Sequence, residues 1–198
     1  MALTSAATAA AGTVLRPAES QQVFRTVLEA LSRPGAPQGL PPDLVRVTDP
    51  AVLPVLALAD LGTGVCVLEE RTKWADTVTL ATSAPRRPLE LARLVAAVRL
   101  VTAGEITRLC RGTAPAPEDA ALAALAVSDV DGGERRWRIS GPGVPGELTL
   151  APRGLPEGFV AARAEAVAGY PAGIDVLLVT DDGRVVGLPR TTTIVEED

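Results

Sequence analysis

Residues 175–188 read DVLLVTDDGRVVGL, and this stretch decides the fold because it predicts a β-hairpin with two apolar arms. The arms, residues 175–180 and 185–188, flank a turn at Asp181-Asp182-Gly183, and an Asp-Gly step between apolar runs is typical of a tight hairpin. Further apolar runs predict strands at residues 65–68 and 122–130, and a second hairpin at residues 135–140 and 147–150.

Helices are predicted between these strands. Residues 19–32 carry apolar side chains at helical spacing, and Pro34-Gly35 ends that helix. Periodicity predicts further helices at residues 49–60, 89–101, 104–111 and 156–168, whereas residues 72–82 fit either a strand or a helix. This mixture predicts an α/β fold, with residues 1–18 as a flexible N-terminal tail and residues 19–198 as a single domain.

The composition excludes several kinds of site. The 198 residues contain no histidine, which removes the usual His-based catalytic triads and every His-ligated metal site. Lys73 is the one lysine, so it is the one candidate for a Schiff base. Cys66 and Cys110 are too few for a four-cysteine zinc site, and we predict that both are buried and reduced, as in a cytoplasmic protein. We therefore expect no metal and no cofactor.

The charge and its distribution bear on the partners. A net charge of −5 argues against nucleic-acid binding, and because the sequence has no run of 18 apolar residues we expect no membrane span. Residues 71–111 are locally basic, with eight basic and three acidic side chains. Such a segment either attracts phosphates or an acidic partner, or forms a solvated helical face, and we favour the solvated face.

Three segments carry candidate binding residues. Pro189-Arg190-Thr191-Thr192-Thr193 follows the last predicted strand, and an arginine beside hydroxyls at a strand end is typical of phosphate binding. The alternative is an exit strand with one solvated arginine. The Gly112-Thr113 turn could hold an anion or simply stop a helix, and Asp175 could pair with an arginine or cap a turn.

Residues 141–146, GPGVPG, match the glycine pattern of dinucleotide-binding loops. That function needs a helix to follow the loop, whereas a strand is predicted here, and two prolines remove amide donors. We therefore predict a rigid loop between two strands.

Five motifs are specific as an ordered set: Phe24-Arg25-x-x-Leu28-x-Ala30-Leu31-Ser32-x-Pro34-Gly35, the Gly112-Thr113…Pro117-Glu118 loop, Arg138-Ile139-Ser140-Gly141-Pro142-Gly143, Pro171-x-Gly173-Ile174-Asp175-x-x-Leu178 and Pro189-Arg190-Thr191-Thr192. Together, over residues 20–195, they resemble the PhnH family, a subunit of the bacterial carbon–phosphorus lyase complex. By this resemblance, the structural motif residues are Phe24, Arg25, Ser32, Pro34, Gly35 and Gly173. One departure is Ala81, which stands before Thr82-x-Ala84-Pro85 where the family has a histidine.

The resemblance implies a three-layer α/β fold, a mixed sheet with helices on both sides, like the large domain of pyridoxal-phosphate-dependent transferases but without the cofactor. It implies a helix at residues 72–82 and a strand near residues 95–98, which conflicts with the helical periodicity of residues 89–101. It also implies a homodimer within a larger assembly with other carbon–phosphorus lyase subunits. In that assembly an alkylphosphonate replaces the adenine of ATP before a partner breaks the carbon–phosphorus bond.

Three functions remain open at this point. The leading hypothesis is a required subunit of the lyase system with no catalytic residues of its own and a phosphate or partner surface. The second is a free-standing nucleotide-binding enzyme that uses Arg190, Thr191 and Thr192. The third is an interaction protein outside phosphonate metabolism. The missing histidines favour the non-enzyme hypotheses, because few groups remain that titrate near neutral pH.

Overall fold

The computed structural model describes residues 14–70 and 74–197, in which helices and strands alternate. The helices are α1 (Pro17–Ser32), α2 (Pro42–Val45), α3 (Leu53–Leu58), α4 (Trp74–Thr82), α5 (Ala103–Arg108) and α6 (Phe159–Val167). The strands are β1 (Gln38–Gly39), β2 (Val65–Leu68), β3 (Leu94–Ala97), β4 (Leu122–Val127), β5 (Arg136–Ser140), β6 (Glu147–Leu150), β7 (Asp175–Thr180), β8 (Arg184–Leu188) and β9 (Thr193–Glu197). The fold is therefore α/β.

The main sheet is mixed and has six strands in the order β1-β8-β7-β4-β3-β2. Strands β2, β3, β4 and β7 run parallel, whereas β8 is antiparallel to both β7 and β1. The β7–β8 hairpin is the one predicted from residues 175–188. A second, antiparallel sheet has the order β6-β5-β9, which confirms the second predicted hairpin.

Alternate side chains of the main sheet enter two different apolar clusters. Leu177 and Val179 pack with buried residues of α1, α3 and α4, whereas Val176 and Leu178 pack with those of α5 and α6. Because successive strand residues point to opposite faces, the helices cover both faces of the sheet. Complete burial of a leucine such as Leu177 contributes roughly 1.5–3 kcal/mol, so these two clusters stabilise the layered arrangement.

The small sheet β6-β5-β9 covers one side of the apolar cluster that contains Val176 and Leu178. Trp137 and Ile139 of β5 are buried in it, and the Trp137 ring stacks on the Phe159 ring with centroids 5.4 Å apart. An offset aromatic pair of this kind adds about 0.5–1.5 kcal/mol to the gain from area burial. The β5–β6 hairpin and β9 therefore share a core with the main sheet.

The helix predicted from the periodicity of residues 89–101 is wrong. A single 3-10 turn at Leu89–Leu91 precedes β3, and all four β3 residues are buried. A central parallel strand is apolar on both faces, so it lacks the alternation that identifies a half-buried strand, and a short run of this kind also fits a helix. The strand that the family resemblance implied near residues 95–98 is confirmed.

The helix predicted at residues 19–32 is confirmed as α1, whereas other helices begin or end at positions that differ from the predicted ones. Residues 49–60 form only α3, because Asp49 first caps a turn by accepting a hydrogen bond from the amide of Ala51 at 3.0 Å. Helix α6 begins only after Gly158, whose φ is +76°. The ambiguous residues 72–82 form α4 from Trp74 onward, and the Glu69 carboxylate accepts the amide hydrogen of Trp74 at 2.7 Å.

Two predictions concern segments outside the described residues. Residues 1–13 of the predicted tail are among them, and α1 begins at Pro17, within the predicted tail boundary. Lys73 also lies outside. Of the helices that are described, none combines the length and the apolar character that crossing a membrane requires.

Candidate functional site

The Arg190 side chain is bound to the Asp175 carboxylate. Nε donates to Oδ1 at 3.2 Å and Nη2 donates to Oδ2 at 2.7 Å, while the backbone amide of Arg190 also donates to Oδ1 at 2.7 Å. Asp175 is the first residue of β7 and Arg190 follows β8, so the hairpin brings the two together. Of the two roles predicted for Asp175, the structure shows the ion pair with an arginine.

The remaining contacts of Arg190 reach two further loops. Nη1 donates to the carbonyl oxygens of Pro117 at 2.9 Å and Pro171 at 3.0 Å. Four of the five guanidinium N–H groups are thus used within the protein, and the side chain is 16% exposed. Arg190 therefore fastens residues 112–118, residues 171–175 and residues 189–192 to one another, and the alternative of a solvated arginine is wrong.

Two glycines permit this close approach. Gly173 has a φ of +152°, its amide donates to the carbonyl of Arg111 at 2.7 Å, and an added Cβ would lie 3.3 Å from the Arg190 Cβ. Gly112 has a φ of +63°, and a Cβ there would lie 2.9 Å from the Ala116 carbonyl oxygen. Substitution at either position therefore strains the backbone and crowds its neighbours.

The predicted Gly112-Thr113 turn is closed on itself. The Ala116 amide donates to the Thr113 carbonyl oxygen at 3.1 Å and lies 3.2 Å from its Oγ1. Thr113 is exposed, as is Thr191, whereas Thr192 is only 2% exposed. The structure thus brings Arg190, Asp175 and the Gly112 loop together, but it does not direct the three predicted hydroxyl-bearing residues at one point of the surface.

Arg163 completes this arrangement, and the sequence analysis missed it. It lies on α6, is 2% exposed, and donates to the carbonyl oxygens of Thr192 at 3.0 Å, Pro189 at 2.5 Å and Leu188 at 3.4 Å. Burial lowers the pKa of Arg163 to about 10, an effect that the nearby Asp175 charge partly opposes. The only signal in the sequence was a single arginine among the alanines of residues 159–167.

Arg163, Arg190 and Asp175 form an arginine cluster. This cluster lies at the amino-terminal edge of the parallel strands. Asp175 begins β7, and residues 112–121 lead into β4. Open α/β sheets bind ligands at the opposite edge, outside the carboxyl ends of the strands. Residues 189–193 therefore lie at the edge opposite to the one where such sheets bind ligands, because β8 runs antiparallel and its end meets the start of β7.

The carboxyl edge holds a cavity of about 210 Å³ beside Arg99, Ser128 and Asp181. The Arg99 guanidinium is bound there by Glu105, with contacts of 3.1 and 2.5 Å. The hydrogen bond from Arg99 is the main reason that the pKa of Glu105 falls to about 2, helped by Thr102 and opposed by burial. Arg99 is therefore committed to Glu105 rather than available to an anion.

The basic segment of residues 71–111 is largely neutralised by ion pairs. Its arginines pair with acidic residues inside and outside the segment: Arg86 with Asp76, Arg93 with Asp119, Arg99 with Glu105, Arg108 with Glu90 and Arg111 with Glu165. These pairs reduce the charge available to phosphate, as expected for the favoured solvated helical face, but the segment is not one helical face because it contains the buried strand β3. As far as the structure describes the chain, no group of three or more metal-ligating side chains occurs.

The N-terminal motif residues are divided between the surface and the core. Phe24 and Arg25 are exposed on α1, whereas Pro34 and Gly35 are buried. A Cβ on Gly35 would lie 2.4 Å from Ile139 Cδ1. The Pro34-Gly35 end of the motif thus packs against the β5–β6 hairpin.

Residues 141–146 connect β5 and β6 as the predicted rigid loop. Three of their glycines, Gly141, Gly143 and Gly146, have positive φ. A Cβ on Gly143 would lie 2.3 Å from the carbonyl oxygen of Ser32, so this loop rests on the end of α1.

Ala81, the departure from the family motif, lines a cavity of about 510 Å³ together with Ser83, a non-glycine residue with a φ of +60°.

Comparison with known proteins gives two kinds of match. A family model described as bacterial phosphonate metabolism protein (PhnH) matches residues 12–195. The "Alpha-D-ribose 1-methylphosphonate 5-triphosphate synthase subunit PhnH" of Rhizobium meliloti (strain 1021) is 26% identical over 195 residues, which cover 90% of this chain and 92% of that protein. The "Putative C-P lyase subunit protein HtxG" of Stutzerimonas stutzeri is 36% identical over 83 residues, 42% of each chain.

Proposed function

Because the chain belongs to the PhnH family of bacterial phosphonate metabolism proteins, we propose that it is a required, non-catalytic subunit of a carbon–phosphorus lyase assembly. In this role it supports the formation of α-D-ribose 1-methylphosphonate 5-triphosphate, in which an alkylphosphonate replaces the adenine of ATP. The observation that carries the proposal is the end-to-end match to a synthase subunit, which covers nine-tenths of both chains.

The geometry around Arg190 supports a subunit that holds surfaces in place. Bidentate phosphate binding needs a guanidinium edge with two N–H groups that have no other acceptor. Arg190 has only one N–H group without an acceptor among the described residues, and the Arg163 guanidinium is buried against carbonyl oxygens. We therefore propose that Arg190, Asp175, Gly112 and Gly173 shape a partner-binding surface rather than a phosphate site. Thr113 and Thr191 belong to the exposed part of that surface, and the buried Thr192 lies beneath it.

Several finer features belong to the same proposal. The subunit forms a homodimer in the cytoplasm, takes no cofactor, and has a three-layer architecture like the large domain of pyridoxal-phosphate-dependent transferases. The exposed apolar side chains of α1 favour a dimer, since Phe24 is 46% and Leu28 is 54% exposed. Other carbon–phosphorus lyase subunits are the remaining partners.

Family membership and geometry both weigh against the alternatives. An interaction protein outside phosphonate metabolism does not fit a family defined by that pathway. A free-standing nucleotide-binding enzyme would need Arg190 to release Asp175 and two carbonyl oxygens before it could bind phosphate. That rearrangement would leave a half-buried carboxylate without its cation, which is costly.

The test is growth on methylphosphonate as the sole phosphorus source. Deletion of the gene should abolish this growth, leave growth on inorganic phosphate normal, and be corrected by a plasmid copy. Normal growth of the deletion strain on methylphosphonate would overturn the proposal. The purified chain, mixed with ATP and methylphosphonate and followed by phosphorus NMR, should consume neither compound; turnover would show that the subunit is catalytic.

A further inference from the structure

Strand β9 has an open edge. It is the outer strand of the sheet β6-β5-β9, and β5 is its one strand neighbour in the part of the chain that the structure describes. The strand reads TIVEE, without proline or lysine, and Val195 is 46% exposed, so the two glutamates are the charged side chains that keep like strands away from this edge. An edge of this kind offers free backbone N–H and C=O groups to an added strand.

A cavity of about 420 Å³ lies beside this edge. It is lined by Trp137, Phe159, Leu155 and Glu196 among others, and Glu196 shares a sheet face with Trp137, its direct neighbour in the register. Trp137 is 4% exposed, and its Nε1 donates to no acceptor within residues 14–70 and 74–197. A buried donor without an acceptor is costly, so an incoming carbonyl group would relieve it.

The charged side chains around the cavity indicate which kind of ligand it would bind. Arg135 is paired with Glu157 at 3.1 Å, and Arg153 is paired with Asp129 at 3.3 Å. The carboxylates of Glu134 and Glu196 also line the cavity, and neither has an ion-pair partner among the described residues. Two acids without an ion-pair partner favour a cationic occupant.

We propose that the β9 edge and this cavity together bind an extended, basic segment of another lyase subunit by strand addition. Main-chain hydrogen bonds to β9 supply affinity, and an arginine or lysine side chain enters the cavity toward Glu134 and Glu196. A second copy of this chain is the poorer occupant, because its β9 carries the same acidic residues. The inference rests on the proposed function, since the partner is a subunit of the same assembly.

The test uses the full chain, expressed with the other carbon–phosphorus lyase subunits of its own organism. Hydrogen exchange should slow at least fivefold on complex formation at alternate amides of residues 193–197, because only alternate residues face the free edge. The double variant Glu134→Lys, Glu196→Lys should bind the other subunits at least tenfold more weakly with its melting temperature retained. Glu147→Lys, on the opposite edge strand β6, is the matched control and should bind within twofold of the wild type.

The outcomes separate the two proposals. If no complex forms with the wild-type chain, the proposed function fails and the inference fails with it. If a complex forms but residues 193–197 exchange as in the free chain, or the double variant binds normally, the inference is overturned while the proposed function stands.

In a Trp74→Phe background, Trp137 fluorescence should also change when the partners bind, since Trp137 and Trp74 are the two tryptophans of the chain.

Discussion

Replacement of Arg190 by alanine should destabilise the protein strongly. The substitution removes both hydrogen bonds to Asp175 and those to the Pro117 and Pro171 carbonyl oxygens, and it leaves the Asp175 carboxylate without a cation. Breaking a fully buried ion pair costs about 3–5 kcal/mol. Because the two side chains here are 16% and 23% exposed, we expect about 2–4 kcal/mol.

The measurement is thermal denaturation followed by circular dichroism. For a chain of this length each kcal/mol lowers Tm by about 2–4 °C, so a loss of about 2–4 kcal/mol in Arg190→Ala should lower Tm by roughly 4–16 °C. Arg190→Lys keeps the charge but loses the two-pronged contact, and should lose about half as much. Arg46→Ala is the control, because its pair with Asp43 is exposed, and it should stay within about 0.5 kcal/mol of the wild type. An unchanged Tm for Arg190→Ala would refute this reasoning.

Three further predictions follow from other parts of the fold. Gly143→Ala should cost about 2 kcal/mol more than Gly146→Ala, because both have positive φ but only the first places a Cβ against Ser32; equal losses in urea denaturation would contradict the clash. The pKa of Glu105 is held at about 2 by Arg99, so the stability that this carboxylate adds is present above its ordinary pKa of 4.5 and is lost as the pH falls toward 2. Glu105→Gln should therefore lower stability by about 1 kcal/mol at pH 7, with a gap to the wild type that closes below pH 4.5; a gap independent of pH would exclude the linkage. Light scattering should give twice the mass of one chain, and the mass of a single chain at micromolar concentration would rule out the homodimer.

The hairpins could be predicted because their information is local. An Asp-Gly turn fixes the register of residues 175–188, and the Gly/Pro loop does the same for β5 and β6. Strand β3 could not, because Leu94–Ala97 is buried on both faces and the periodicity that would identify it is absent. The sequence indicates β9 only as an exit strand, since its pairing with β5 depends on residues more than fifty positions away.

The candidate site shows the same division between local and long-range information. The sequence offers the pairing of Asp175 with an arginine as one of two alternatives, but it does not reveal that Pro117 and Pro171 supply the other acceptors. Nor does it reveal that β8, by running antiparallel, returns Arg190 to the amino-terminal edge of the sheet. Arg163 was missed because a buried arginine without a carboxylate partner is rare, and its partners are carbonyl groups that any sequence provides.

The arginine cluster leads directly into strand β9 along the chain. Measuring both melting temperature and partner binding separates the role of the cluster from that of the β9 edge. Arg163 holds the Thr192 carbonyl, and Thr193 is the first residue of β9, so the two arginines fix the direction in which the strand leaves the main sheet. Loss of Arg190 should therefore lower Tm and weaken partner binding together. Loss of the acids Glu134 and Glu196 should weaken binding alone, because neither forms an ion pair within the described residues 14–70 and 74–197. If Arg190→Ala lowered Tm but left partner affinity unchanged, the cluster would stabilise the fold without positioning β9, and the binding surface would have to be independent of it.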